Sequence, residues 1–312
     1  MKLSNTHILA AVFFVLVAAF VLTRMFRAPA RMSNIQTGVL KVDTAAVTEI
    51  RILRNSETDS TEKVLTRTDG KWRVEQSGVN ASADSYAVSS ILRALNDLEY
   101  DRMVTRNKDK WEDYGVTDET GINVTVSGKS GTLSTFVVGA PRGGEAFLRS
   151  GDADEVYTVN ATVHGAFSRD FNSLRDRTFL KVPKDLVSRL EFRYPADSGF
   201  VLERKDDRWM IDNARADSAK VESFLNALRS RSLSAFADDF VPSGDADLSL
   251  VVSGTAGDLE TVRAWRQPDS TWRLASGVQR DVYFSDSGTR VIADLFRRRS
   301  YFLQETDSIA TH

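Results

Sequence analysis

The segment Val47-Thr48-Glu49-Ile50-Arg51-Ile52 returns later in the chain as Val187-Ser188-Arg189-Leu190-Glu191-Phe192. In both, apolar residues at alternate positions mark a strand with one buried face. Asp69-Gly70-Lys71-Trp72-Arg73-Val74 likewise matches Asp206-Asp207-Arg208-Trp209-Met210-Ile211. Asp-Gly between two strand-like runs signals a hairpin. Val88, Ile91, Leu92 and Leu95 follow helical spacing, and Val221, Phe224, Leu225 and Leu228 repeat it 133 positions on. Asp84 and Asp217 stand at the two N-cap positions, where a carboxylate accepts free backbone N–H groups and suits the helix dipole. Val126-Ser127-Gly128 and Gly131-Thr132-Leu133 recur as Val252-Ser253-Gly254 and Gly257-Asp258-Leu259, and Val156-Tyr157 as Val282-Tyr283, all offset by 126. Finally, Arg175-Asp176-Arg177-Thr178-Phe179 resembles Arg297-Arg298-Arg299-Ser300-Tyr301.

A chain that writes strand, hairpin, helix, hairpin, strand and helix twice in one order is expected to be a tandem duplication of a β-rich unit. Many short alternating strands with two helices per copy point to the α+β class, with antiparallel sheets and helices on one face. The expected first copy covers 38–181 and the second 182–303. They meet near Val182-Pro183-Lys184, where proline disfavours helix in the residue before it. A polar tail covers 304–312.

Ile8 to Leu22 is an apolar run without a polar residue, and Thr23, Met25 and Phe26 extend it across Arg24. A buried soluble helix would show a polar face. The run, 8–26 in all, is therefore expected to be a transmembrane anchor, between a short tail at 1–7 and a linker at 27–37. The rival is a cleaved signal peptide. Lys2 supplies its basic start and Ala28-Pro29-Ala30 a small-residue site, but Arg24 and Arg27 intervene and proline disfavours cleavage. The positive-inside rule, applied to Arg24, Arg27 and Arg31, would leave the large domain in the cytoplasm. Long domains also translocate largely regardless of charge.

Composition excludes several chemistries. The chain of 312 residues has no cysteine, so disulfides, zinc–thiolate sites, iron–sulfur clusters and thiol catalysis are ruled out. A net charge of −2 is not the footprint of a nucleic-acid binder. The basic run Arg297-Arg298-Arg299 reads as a solvated helix end. Of three histidines, only His164 falls in a folded region, where it lacks the partners of a catalytic triad. Gly139-Ala140-Pro141-Arg142-Gly143-Gly144 carries neither phosphate-binding glycine pattern and reads as a turn. Asp152, Asp154 and Glu155 lack calcium-loop spacing and read as a solvated turn. Trp72, Trp209 and Trp272 each follow an aspartate by three positions, and this recurrence suggests packing rather than sugar stacking. Trp111, Tyr114 and Gly115 have no clear counterpart in the second copy beyond Phe236 and Phe240. They are the candidate partner or ligand surface. No catalytic, cofactor-binding or metal residues are assigned.

Several of these motifs resemble the bacterial family called domain of unknown function 4340. The carriers are Gly70-Lys71-Trp72-Arg73-Val74, the Ala83-Asp84 helix start, Trp111-Glu112-Asp113-Tyr114-Gly115-Val116, Val156-Tyr157, and Leu174-Arg175-Asp176-Arg177 ahead of Phe179-Leu180. The proline that often follows this family's Tyr-Gly-Leu is missing from Tyr114-Gly115-Val116-Thr117-Asp118. The resemblance implies a single-pass protein of the bacterial cytoplasmic membrane with its soluble domain outside the cytoplasm. It also implies genes beside an ABC-type permease and a gliding-motility-type auxiliary membrane protein, which are the expected partners. A non-enzymatic accessory subunit without cofactors is the leading expectation. A glycan- or lipid-binding module of the cell envelope is the alternative, and a carboxylate-dependent envelope hydrolase comes third.

Overall fold

The computed structural model describes residues 42–55, 60–151, 153–212 and 214–303. The expected anchor, linker and polar tail lie outside the described residues. Among the described residues no helix is long and apolar enough to cross a membrane.

The described chain is β-rich and antiparallel, with few helices. The first sheet contains β1 (Val47–Arg54), β2 (Lys63–Thr68), β3 (Lys71–Gln76), β4 (Val79–Ser82), β5 (Arg102–Thr105), β6 (Ile122–Gly128), β7 (Gly131–Val138), β8 (Glu145–Ser150) and β9 (Val156–Asn160). Its order is β4-β3-β2-β1-β6-β7-β8-β9-β5. Next come β10 (Thr178–Leu180), β11 (Arg189–Arg193), β12 (Phe200–Lys205), β13 (Arg208–Ile211), β14 (Ala214–Arg215) and β15 (Arg231–Ser232). The last strands are β16 (Leu248–Gly254), β17 (Gly257–Arg266), β18 (Trp272–Ala275) and β19 (Phe284–Ser285). The second sheet runs β14-β13-β12-β11-β16-β17-β18-β19, and β10 pairs separately with β15.

Register repeats along with order. Ile50 pairs with Val126 and Ile52 with Val124; Leu190 pairs with Val252 and Phe192 with Leu250. Opposite Val126 and Ser127 the strand β7 bulges with the extra residue Leu133, and opposite Val252 and Ser253 the strand β17 bulges with Leu259. Gly128 and Gly254 close the two hairpins opposite Gly131 and Gly257. A Cβ on Gly128 would lie 2.8 Å from the Ala46 carbonyl oxygen, and one on Gly254 2.6 Å from that of Leu186. Neither position has room for a side chain.

Local chemistry explains the elements. Asp69 and Gly70 have φ of 52° and 78°, and Asp206 and Asp207 have 49° and 62°. Two successive positive φ values make the primed turn whose twist suits a hairpin. The helix Ser85–Asn96 starts where the Asp84 carboxylate accepts the Ala87 N–H at 2.7 Å. The helix Ser218–Leu228 starts where Asp217 accepts from Ala219 and Lys220. Val88, Ile91 and Leu95 are buried on the first, and Val221, Phe224, Leu225 and Leu228 on the second. Leu92 is only half-buried.

By contacts the chain groups into two compact units. One comprises the described residues up to Arg67 and within Ser89–Arg169; the other comprises Thr68–Val88 and the described residues from Asp170 onward. In the first, Ile50, Ile52, Val124 and Val126 are buried, and Phe136 meets Phe167 edge-on at 5.5 Å. In the second, Phe192 stacks on Phe200 at 4.5 Å while Phe224 meets Phe302 edge-on at 5.2 Å.

One sequence match is corrected. Asp84 N–H donates to the Leu174 carbonyl and Asp217 N–H to that of Phe302, while Ala83 bridges Arg175 and Ala216 bridges Leu303. Backbone pairing therefore makes Leu303, not Arg297, the counterpart of Arg175. The arginines at 297–299 follow the helix Val291–Leu295. Arg297 meets Asp294 at 3.4 Å, Arg299 meets Asp212, and Arg298 is exposed. Their likeness to Arg175-Asp176-Arg177 is one of composition, not of position.

Candidate functional site

Trp111, Tyr114 and Gly115 lie on one turn. Lys108–Lys110 is a tight 3-10 turn entered through Asn107, whose side chain accepts the Asp109 N–H. The single helical turn Trp111–Tyr114 follows. Gly115 ends it at φ 63°, so that its own N–H reaches the Glu112 carbonyl and the Val116 N–H reaches that of Trp111, each at 3.0 Å. Glycine in the left-handed region is the common way to stop a helix, and this accounts for Gly115.

The aromatic pair is held from below. The Tyr114 ring lies 4.8 Å from that of Phe147, and the Trp111 indole N–H donates to the Asp154 carbonyl at 3.2 Å. The Arg149 guanidinium sits 4.1 Å from the centre of the Trp111 ring, and the Lys108 ammonium 5.6 Å from it. Both rings pack against Val116, Val137, Phe147 and Val156. The ring face under Arg149 is closed to a stacking ligand. Glu112 and Asp113 remain exposed on the same turn.

Arg149 itself was not apparent in the sequence. It is 4% exposed, and its donors reach the Val116 carbonyl at 3.0 Å, the Gly151 carbonyl at 2.7 Å and the Asp118 carboxylate. A buried guanidinium needs this full complement, because an unpaired one would carry its whole desolvation cost. The only signal was a charged residue inside the apolar strand β8.

The remaining candidates have local roles. His164 is half-buried on the helix Ala161–Phe167, and burial lowers its pKa. Asn160 caps that helix by accepting the Thr162 N–H at 2.9 Å. Asp154 pairs with Lys108 and Glu155 with Arg106, while Asp152 lies outside the described residues. Trp72, Trp209 and Trp272 are half-buried, and the last two pack on the core of the second unit.

Motif residues that are distant in sequence meet through their backbones. The Ala83 N–H donates to the Trp72 carbonyl at 3.0 Å, Asp84 to Leu174 at 2.8 Å, and Asp176 to Ser82 at 2.8 Å. In the second sheet the Ala216 N–H donates to Trp209 at 2.9 Å and Asp217 to Phe302 at 2.8 Å. This is scaffold chemistry, which binds a hairpin, a helix start and a later extended segment into one piece.

The second unit also carries a cavity of about 590 Å³, lined by Lys181, Asp258, Glu260, Arg263, Ser276 and Arg280 among others. That volume lies within the usual range of small-molecule sites, about 300–1,000 Å³. Glu260 occupies a core-facing register position in phase with Val262 and Ala264 and is only 5% exposed. One carboxylate oxygen accepts the N–H groups of Thr261, at 2.8 Å, and of Gly277. Burial pushes its pKa up, against the opposing pull of the backbone amides of Gly277, Thr261 and Val278. Ser276 is equally buried, and among the described residues its hydroxyl has no hydrogen-bond partner. Sequence reading missed this site because a single Glu in a strand and a single Ser in a turn form no motif.

The sequence model of a family described as "Domain of unknown function (DUF4340)" matches residues 72–249. No curated protein and no solved structure matches the chain.

Proposed function

The chain belongs to the DUF4340 family, and from that premise we propose that it is a non-enzymatic, membrane-anchored accessory protein of an ABC-type transport complex. It arose by tandem duplication, with helices covering one face of each sheet. The apolar run from Ile8 to Leu22 holds it in the bacterial cytoplasmic membrane, with the folded part outside the cytoplasm. Its partner is an ABC-type permease or a gliding-motility-type auxiliary membrane protein.

The observation that carries this reading is the shared register of the two sheets, with Ile50 on Val126 and Leu190 on Val252. A duplicated scaffold offers two similar surfaces, which suits docking on a larger assembly. The turn at Trp111, Tyr114 and Gly115, with exposed Glu112 and Asp113, is the proposed contact element. Its aromatic packing presents the acidic pair on a rigid base.

The test is a mild-detergent pull-down of the tagged full-length protein from its native membrane, read by mass spectrometry. A permease recovered with its ATPase, and lost on Glu112→Lys/Asp113→Lys, supports the reading. The protein recovered alone under several detergents overturns it.

A further inference from the structure

We propose that Glu260 is an ionisable wedge in the second sheet. With its carboxyl seated between β17 and residues 276–278, the sheet is held open at this edge. With the carboxyl turned out to solvent, the segment zips onto β17 through a backbone bond from Gly277 to Thr261. This inference is independent of the accessory reading. The two sheets build the same junction in different ways. In the first, β8 pairs with β7 from Val138 on Leu148 to Phe136 on Ser150, and the Gly151 N–H then donates to the Thr135 carbonyl at 2.8 Å. In the second, the pairing of β18 with β17 stops at Arg263 on Ala275. The shared offset of 126 sets Thr261 against Thr135, Ser276 against Ser150 and Gly277 against Gly151. The pair Val262–Ser276 and the bond from Gly277 to Thr261 are the two links present in the first sheet and open in the second.

The Glu260 carboxyl occupies their place. One of its oxygens accepts the Thr261 N–H at 2.8 Å and the Gly277 N–H as well. A Cβ on Gly277 would lie 2.7 Å from that same oxygen, so a residue without a side chain lets the segment come this close. In the first sheet the Glu260 position is held by Ser134, whose side chain is two bonds shorter and leaves the ladder closed. The cavity of about 590 Å³ is lined from both sides of the gap, by Leu259, Glu260 and Thr261 and by Ser276, Gly277 and Val278. Gly277 and Val278 are exposed, and the Gln279 side chain donates to the carbonyls of Asp176 and Thr178 at 3.0 and 2.9 Å. The moving part is therefore short, fixed at β18 on one side and at Gln279 on the other.

Ionisation sets the balance between the two states. The wedged carboxyl is 5% exposed, and among the described residues it has no salt-bridge partner. The charged groups around it are Asp258 and Arg263 on β17, Lys181 after β10 and Arg280 on the loop. The three cations are exposed, and Asp258 is occupied by the Ser253 hydroxyl at 2.7 Å. A charge buried without a cation carries a desolvation cost that amide hydrogen bonds offset only in part. The raised pKa of Glu260 accords with this. Turned out to solvent, the carboxyl returns toward its ordinary value. The wedged state thus holds the proton more tightly and predominates at low pH, and rising pH moves the population to the zipped state.

Nuclear magnetic resonance of the full-length protein, from about pH 4 to about pH 8, tests the proposal through the Gly277 amide signal. It is read in the wild type, in Glu260→Gln, which cannot ionise, and in Glu260→Ser, which carries the residue of the first sheet. The wild-type signal is expected to shift in one step with a midpoint above the ordinary 4.5. At high pH it should reach the position it holds in Glu260→Ser, while in Glu260→Gln it should stay in place. A wild-type signal that does not shift, that ends away from the Glu260→Ser position, or that shifts equally in Glu260→Gln overturns the wedge. A second reading needs no variant. Zipping extends the ladder by the pair Val262–Ser276, so contact between their α-protons must appear in the wild type as pH rises. Its absence at high pH overturns the wedge even if Glu260→Ser fails to fold.

Discussion

Arg175 grips Asp238 with both terminal nitrogens at 2.7 Å while its guanidinium carbon lies 3.6 Å from the centre of the Phe236 ring. Phe171 and Asn172 complete the enclosure, and Arg175 is only 2% exposed. Removing the carboxylate would strand a buried cation. Because Asp238 itself keeps about a third of its exposure, Asp238→Ala is expected to cost about 2–3 kcal/mol, below the usual loss for a fully buried pair. Arg175→Lys should cost a similar amount, since an ammonium cannot form the fork or lie flat on a ring. Urea unfolding at constant m-value checks both. A loss under about 0.5 kcal/mol in either would show that the pair is not a keystone.

The β12–β13 turn holds Asp206 and Asp207 at positive φ, where the β2–β3 turn has Asp69 and Gly70. A Cβ in the left-handed region costs about 1–2 kcal/mol, partly offset by the entropy a glycine brings to the unfolded chain. Asp207→Gly is therefore expected to stabilise by about 0.5–1 kcal/mol. The exposed contact it removes, Arg204 to Asp207, is worth little. Thermal unfolding reads the result, and a lowered midpoint would refute it.

Gly128 and Gly254 face backbone carbonyl oxygens at equivalent hairpin positions. Alanine at either should cost about 1–3 kcal/mol, because the backbone must shift to admit the methyl group. The two losses should agree closely if the hairpins are true counterparts. One variant costing nothing while its twin unfolds the protein would break that equivalence.

Glu260 holds its proton more tightly when folded, since burial raises its pKa above the ordinary 4.5. Its contribution to stability is then largest below that ordinary value. The contribution falls as pH rises toward the folded-state value and is flat beyond it. Glu260→Gln removes this slope, so the variant should gain on the wild type as pH rises through that window. Denaturation curves from about pH 4 to about pH 8 decide the matter, and a difference that does not vary with pH would refute it.

Trp111→Ala removes both the ring beneath Arg149 and the donor to Asp154. As Trp111 is only half-buried, the expected loss is about 2–3 kcal/mol rather than the larger figure for a fully buried aromatic. Tyr114→Phe keeps the packing on Phe147 and should cost under about 0.5 kcal/mol. Chemical unfolding of the two variants side by side would expose any reversal of this order.

Much of the secondary structure was legible from residues alone. Alternation at Ile50 and Ile52, the pair Asp69-Gly70 and the carboxylates Asp84 and Asp217 each act within a few bonds of the chain. Their effects survive without knowledge of any partner. The match of Arg175 to Arg297 failed for the opposite reason. It compared letters, whereas position is set by which carbonyl the Asp84 and Asp217 amides reach.

The candidate site was legible only in part. Trp111, Tyr114 and Gly115 could be singled out because they fall together on one turn. That Arg149 closes the Trp111 ring could not be seen, because 38 residues separate the two. The sequence by itself determined the local conformations: strand alternation, turn handedness, helix starts and stops, and the chemistries excluded by the missing cysteines. Only the tertiary structure decided which polar side chains are buried and what satisfies them. Arg149, Arg175, Glu260 and Ser276 look like surface residues in the sequence, and their burial depends on sheet order, register and long-range packing, through contacts that no local pattern encodes.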